Sequence, residues 1–187
     1  MAQFNLFKAD VRDFLTLWPE IRSDFPAGTL APRMVYTRVL QDGSGEFFRF
    51  FASCEPVGYA LVLRGAKHNI GMIWLLAVHA AYRSQGHGGA MLEALHARYA
   101  LLDGMILEVE RVCDAKDDLT ARENARRIRF YERAGYSRLP KDVRLYGENY
   151  HIMACALTDG DFLRRAGREE GTLYRSFYGR YAPLRFI

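Results

Sequence analysis

Nine consecutive residues, Ile70–Val78 (IGMIWLLAV), are almost all apolar, and four residues later the chain enters a turn rich in glycine, Tyr82-Arg83-Ser84-Gln85-Gly86-His87-Gly88-Gly89. A strand with one wet face alternates polar and apolar residues. An unbroken apolar run of this length is instead what a strand covered on both faces looks like. Such a strand needs helices to cover it, which points to a layered α/β fold with this strand near the middle of its sheet. From Gly86 onward, Met91, Leu92, Leu95, Tyr99 and Leu102 recur at helical spacing until Asp103-Gly104 closes the segment. Strand, glycine turn and helix therefore follow one another directly.

The flanking segments supply the rest of the sheet. Residues 3–8 read as a first strand, and Asp10 offers an N-cap for a helix carrying Val11, Phe14, Leu15, Trp18 and Ile21, which Pro19 is expected to kink or split. A second short helix is expected over 34–40. Residues 46–53 (EFFRFFAS) and 57–64 (VGYALVLR), separated by Cys54-Glu55-Pro56, form a hairpin. Residues 105–111 (MILEVER) alternate, with Leu107 and Val109 on one face and Glu108 and Glu110 on the other. A helix over 120–134 is stopped by Gly135, a late strand spans 150–157, and 161–178 reads as a terminal helix weakened by Gly167 and Gly171. The central strand–helix–strand unit is expected to cross over right-handed.

The chain has 187 residues, of which 50% are apolar and 26% charged. This suits one globular domain able to build its core without staples. No run of 18 apolar residues occurs, and Lys8, Asp10, Arg12 and Asp13 interrupt the first segment, so neither a spanning helix nor a signal peptide is expected. Cys54, Cys113 and Cys155 are odd in number, far apart and without metal-ligand spacing, which predicts free thiols, no metal site and a cytoplasmic setting. The net charge is +4, yet residues 121–144 alone hold seven Arg and Lys141 against Glu123, Glu132 and Asp142, a local +5. A basic segment of that kind suits a compact diphosphate, a nucleic-acid backbone or simply a solvated helix face.

A glycine turn that opens a helix aims several backbone N–H groups at one point and lets a bulky anion approach the main chain. The turn lacks the lysine and hydroxyl of a G-x-x-x-x-G-K-[ST] loop, and its glycines do not give G-x-G-x-x-G followed by an acidic residue after the next strand. ATP and NAD are therefore poor candidates.

Leu76-Ala77-Val78 followed by Tyr82-Arg83-Ser84-Gln85-Gly86-His87-Gly88 resembles the R-x-x-G-x-G/A acyl-CoA signature of the GCN5-related N-acetyltransferases (GNAT). A second block is similar to the same family: Asn124-Ala125-Arg126-Arg127-Ile128-Arg129-Phe130-Tyr131-Glu132-Arg133-Ala134-Gly135-Tyr136. The resemblance covers about 57–157. It implies a mixed, mostly antiparallel sheet of about seven strands with helices on both faces, splayed between the fourth and fifth strands. Residues 1–187 would then form one catalytic domain, with 158–187 as a C-terminal extension.

The resemblance also implies roles. Arg83, Ser84 and the backbone of Gln85, Gly86, His87, Gly88 and Gly89 would hold the diphosphate of acetyl-CoA. Leu76 and Val78 would offer main-chain groups to its pantetheine, with the Val78 amide as oxyanion donor. Asn124, Arg127 and Tyr131 match the second block, where the tyrosine protonates the departing thiolate. An alkyl ammonium has a pKa of about 10.4, so the acceptor also needs a proton sink. Glu108 and Glu110 are the candidates, and His79 at the strand end is a further one with less to distinguish it. Tyr146 and Tyr150 fall where late strands wall the acceptor pocket in this family, and the aromatic stretch 174–187 either packs on its own sheet, covers that pocket or contacts another subunit.

The expected activity is transfer of the acetyl group of acetyl-CoA to a primary amine by direct attack, without metal. The expected acceptor is a small-molecule or protein amine, with neither membrane nor nucleic acid as partner and with room for a homodimer. Two rivals stand beside it: an acyl-CoA-binding sensor without chemistry, and a nucleic-acid-binding module using 121–144.

Overall fold

The computed structural model describes residues 4–25, 28–65, 68–145, 147–178 and 185–186. The chain forms two compact units, Met1–Arg64 with Ile73–Tyr99, and Gly65–Met72 with Ala100–Ile187.

The first unit contains β1 (Phe4–Ala9), α1 (Val11–Asp24), α2 (Arg33–Gln41), β2 (Gly45–Ala52), β3 (Glu55–Arg64), most of β4 (Ile70–Val78) and α3 (His87–Arg98). Its strands run in the order β1-β2-β3-β4, with β1/β2 and β2/β3 antiparallel. The β2–β3 hairpin turns at Ser53-Cys54, where Ser53 takes a positive φ of 56°. Pro56, expected in the turn, instead lies inside β3, where the pairing register shifts between Phe50 and Phe51.

Asp10 caps α1 as expected, and its side chain accepts from the Arg12 and Asp13 amides while Asp13 returns a bond to the Asp10 amide. Pro19 does not split this helix. The carbonyl that loses its partner belongs to Leu15, which is 40% exposed, so water can satisfy it. The core of the unit is aromatic. Phe14 meets Phe47 edge-on at 5.3 Å, Tyr36 lies 4.5 Å from Trp74, and Tyr59, Phe48 and Phe50 are fully enclosed. Glu46, a buried acid, is satisfied by Lys8 at 2.7 Å and the Tyr99 hydroxyl at 2.7 Å.

The second unit contains β5 (Gly104–Glu110), α4 (Asp118–Arg133), β6 (Ser137–Leu145), β7 (Glu148–Ala156), α5 (Phe162–Tyr178) and β8 (Arg185–Phe186). Its strand order is β5-β7-β6-β8, each neighbouring pair antiparallel. Gly104 is required by packing, because a Cβ there would lie 2.2 Å from the Phe162 ring. α5 runs through Gly167, beside Pro140, whose Cδ a Cβ there would meet at an ordinary contact distance of 3.4 Å.

The fold is the mixed, mostly antiparallel α/β class expected, with eight strands among the described residues. The two strands beyond the sequence reading are β6 and β8. The β6 sequence, SRLPKDVRL, hides its character behind charges and a proline, and the pairing shift between Arg138 and Asp142 is what takes Pro140 out of the ladder. Among the described residues no helix is long and apolar enough to cross a membrane.

Candidate active site

β4 ends at Val78, a 3-10 turn covers Ala80–Tyr82, and the chain then climbs through Arg83 to the start of α3. Two residues take positive φ here, Ser84 at 63° and Gly86 at 86°, and this pair of left-handed steps bends the backbone into the helix. Asp10 and Asp117 cap α1 and α4 with their side chains, whereas no side chain caps α3. The first amides of α3 are thus left to an outside acceptor at the positive end of the helix dipole. A Cβ at Gly86 or Gly89 would meet nothing within 4 Å, so the approach to those amides is open. This arrangement can receive a phosphate-sized anion.

The side chains around the turn are held firmly. Arg83 donates from Nε to the Val78 carbonyl at 3.0 Å and from Nη2 to Asp24 at 2.6 Å, and Asp24 also accepts from the Tyr59 hydroxyl at 2.8 Å. Burial and this bond to Asp24 push the Tyr59 phenol far up, so it stays a donor. Gln85 donates to the Ala81 carbonyl at 3.0 Å, and the His87 ring lies between Phe4 and Tyr82 at 6.4 and 5.9 Å. Leu76 and Val78 are half-buried on the last residues of β4. Sequence reading did not single out Asp24 and Glu20, which meet Arg83 and His79 respectively. The available signal was their spacing, two acids four residues apart on one face of a helix.

The second unit carries the other candidates. Glu108 and Glu110 alternate with buried Leu107 and Val109, and both are half-buried. Glu110 is paired with Arg127 at 3.1 Å. Arg127 in turn donates to Asn124 Oδ1 at 2.8 Å, and Asn124, only 3% exposed, donates to the Arg111 carbonyl at 3.1 Å. Asn124 therefore ties α4 to the end of β5, and Arg127 is braced between a carboxylate and an amide. Burial pushes the Tyr131 phenol up to about 12, with Arg127 pulling it down and Glu110 pushing it further up. Its ring lies 5.0 Å from Phe130 and 5.9 Å from Tyr136.

Cys54 and Cys113 are exposed and Cys155 is buried, all three as free thiols. His151 is bonded to Asp142 at 2.7 Å, and burial holds the His96 imidazole below its ordinary value. Tyr150 is buried in β7, Tyr174 and Phe177 are buried in α5, and Tyr146 and residues 179–184 and 187 lie outside the described residues.

A family model described as an acetyltransferase (GNAT) domain matches residues 44–138. No curated protein sequence matches the chain. Among solved structures, it is similar to a GNAT-family acetyltransferase from Bacteroides thetaiotaomicron, with 19% identity, TM-score 0.64, and 91% of this chain and 98% of that one covered. It is also similar to the ribosomal-protein-S18-alanine N-acetyltransferase from Escherichia coli, with 19% identity, TM-score 0.60, and 83% and 94% covered. A Bacillus subtilis acetyltransferase solved in complex with CoA matches with 14% identity and TM-score 0.58, over 84% of this chain and 99% of that one.

Proposed function

Because this chain belongs to the GNAT acetyltransferases and is an acyl-CoA-dependent N-acetyltransferase, we propose that it moves the acetyl group of acetyl-CoA directly to a cationic primary amine, on a small molecule or a protein. The single observation that carries the cofactor assignment is the uncapped, open start of α3 behind the left-handed step at Gly86. Acetyl-CoA supplies an activated acyl group as its thioester.

In this reading the chain's own groups divide the work. Arg83, Ser84 and the amides of Gln85, Gly86, His87, Gly88 and Gly89 bind the diphosphate, with charge-assisted hydrogen bonds at the helix start. Main-chain groups of Leu76 and Val78 bind the pantetheine, and the Val78 N–H donates to the carbonyl oxygen as charge develops on it. Tyr131 supplies a proton donor for the departing sulfur. Asn124 and Arg127 hold the α4 side of the site in shape, and the carboxylates of Glu108 and Glu110 draw in an ammonium. The whole chain acts as one catalytic domain, and its exposed thiols suit the reducing cytoplasm.

Amine-dependent release of CoA thiol tests this reading. A panel of diamines, lysine-like amines and peptide amines is expected to contain acceptors that accelerate thiol release well above the hydrolytic background. Acetyl-CoA binding without acceleration by any amine would leave only the sensor reading.

The turn itself gives a second expectation. The Cβ of Gly86→Ala meets no neighbouring atom, so its cost is the left-handed backbone alone, about 1–2 kcal/mol. The strain relaxes by moving the α3 amides. Acetyl-CoA affinity is expected to fall at least about tenfold while the cooperative unfolding transition persists, a combination that calorimetry and urea denaturation read separately.

A further inference from the structure

The amine must lose a proton before it attacks, and the structure holds a group built to take it. We propose that His79, oriented by Glu20, is the proton acceptor for the incoming amine. The inference rests on the acetyltransferase reading and names a base other than Glu108 and Glu110.

His79 follows Val78, the last residue of β4, and its amide donates to the Val57 carbonyl at 2.9 Å, so the side chain leaves from a fixed point on the sheet. Its ring lies 5.8 Å from Tyr59, and its Nδ1 is bonded to the Glu20 carboxylate. An ionised carboxylate only accepts, so Nδ1 carries the hydrogen and the lone pair sits on Nε2. No described residue bonds to Nε2. The side chain is 13% exposed, enough to be reached and shielded enough to stay oriented.

Glu20 from α1 and Tyr59 from β3 meet the ring, and behind Tyr59 its hydroxyl donates to Asp24 of α1, which pairs with Arg83 of the turn. Asp24 is neutralised by Arg83, which leaves the Glu20 carboxylate to stabilise an imidazolium as it forms. Of the carboxylate candidates on β5, Glu110 is placed differently, because its oxygens are bonded to the Arg127 guanidinium.

The ammonium gives one proton to His79 Nε2, and the freed nitrogen lone pair forms the C–N bond. The C–S bond breaks with its electron pair on sulfur, the second nitrogen proton ends on that sulfur through the donor beside it, and the His79 proton returns to water.

The test takes the best acceptor from the amine panel and measures kcat against pH, with acetyl-CoA affinity measured separately by calorimetry. His79→Gln keeps an amide that can donate to Glu20, and it is expected to lower kcat at least about tenfold near neutral pH with unchanged acetyl-CoA affinity. Its log kcat is expected to climb steadily with pH, since the amine must then deprotonate in solution. Glu20→Gln is expected to lower kcat several-fold, because the ring loses the acceptor that orients it, while leaving acetyl-CoA affinity unchanged. A His79→Gln enzyme with the parent's kcat and profile overturns the His79 assignment and leaves the acetyltransferase reading standing. Absence of turnover in the parent with every amine overturns both.

Discussion

Tyr131→Phe is expected to lower kcat by about 10²-fold with the acetyl-CoA dissociation constant nearly unchanged. Burial pushes this phenol up to about 12, so it remains protonated across the range in which the enzyme would work. An alkyl thiol titrates at about 8.5. Full transfer from the phenol to a free thiolate is therefore uphill, and the group acts chiefly as a hydrogen-bond donor as the C–S bond stretches, which puts the effect toward the low end of general-acid catalysis. Phenylalanine keeps the ring and its packing on Phe130 and Tyr136, so stability should move little. Steady-state kcat, calorimetric affinity and a denaturation curve on the same preparation check all three statements. An unchanged kcat would make Tyr131 a packing residue and move proton donation to water.

The second large effect concerns the fold. Asp142→Ala is expected to destabilise the protein by about 2–3 kcal/mol, because it removes the acceptor of the buried His151 ring and the counter-ion of Arg138 and Arg111. Asp142 is 8% exposed and accepts from His151, 9% exposed, at 2.7 Å and from Arg138 at 3.1 Å, with Arg111 at 3.4 Å. The residue also sits where β6 resumes pairing with β7 after the shift at Pro140, so the cluster fixes the strand register. Burial alone would raise the Asp142 carboxyl, and the bond and charge of His151 together with Arg138 hold it below its ordinary value. Its folded value is thus depressed, and its contribution is present above the unfolded value of about 3.9 and lost as pH falls through the folded one. Urea denaturation should show parent and variant far apart at neutral pH and converging in strong acid. A difference below about 1 kcal/mol at pH 7 would show the cluster to be no more than a surface pair.

What could be read from the sequence divides by the range of the forces involved. Ile70–Val78 was legible because an unbroken apolar run has few other uses, and the start of α3 because glycines and the absence of a capping side chain are local facts. β6 was not legible, because its strand character comes from pairing with β7 and β8 rather than from SRLPKDVRL itself. Pro19 suggests a kink or a split because proline removes a helix bond, and only the exposure of Leu15 reveals that this bond is cheap to lose. In the site, the residue types were visible and their partners were not. Asp24 stands 59 positions from Arg83, Glu20 the same distance from His79, and Glu110 17 from Arg127. Alternation placed Glu108 and Glu110 on one face of β5, yet no local pattern could show that Arg127 would cross from α4 to bind one of them.

Calorimetric titration of the purified protein with acetyl-CoA, beside CoA, ATP and NAD, tests the central claim most directly. The account predicts micromolar binding of acetyl-CoA and CoA, with ATP and NAD weaker by about 2 kcal/mol or more, since the turn lacks the groups either nucleotide needs. Equal affinity for all four, or none for acetyl-CoA, would contradict it and would leave the open start of α3 as a structural turn without a ligand.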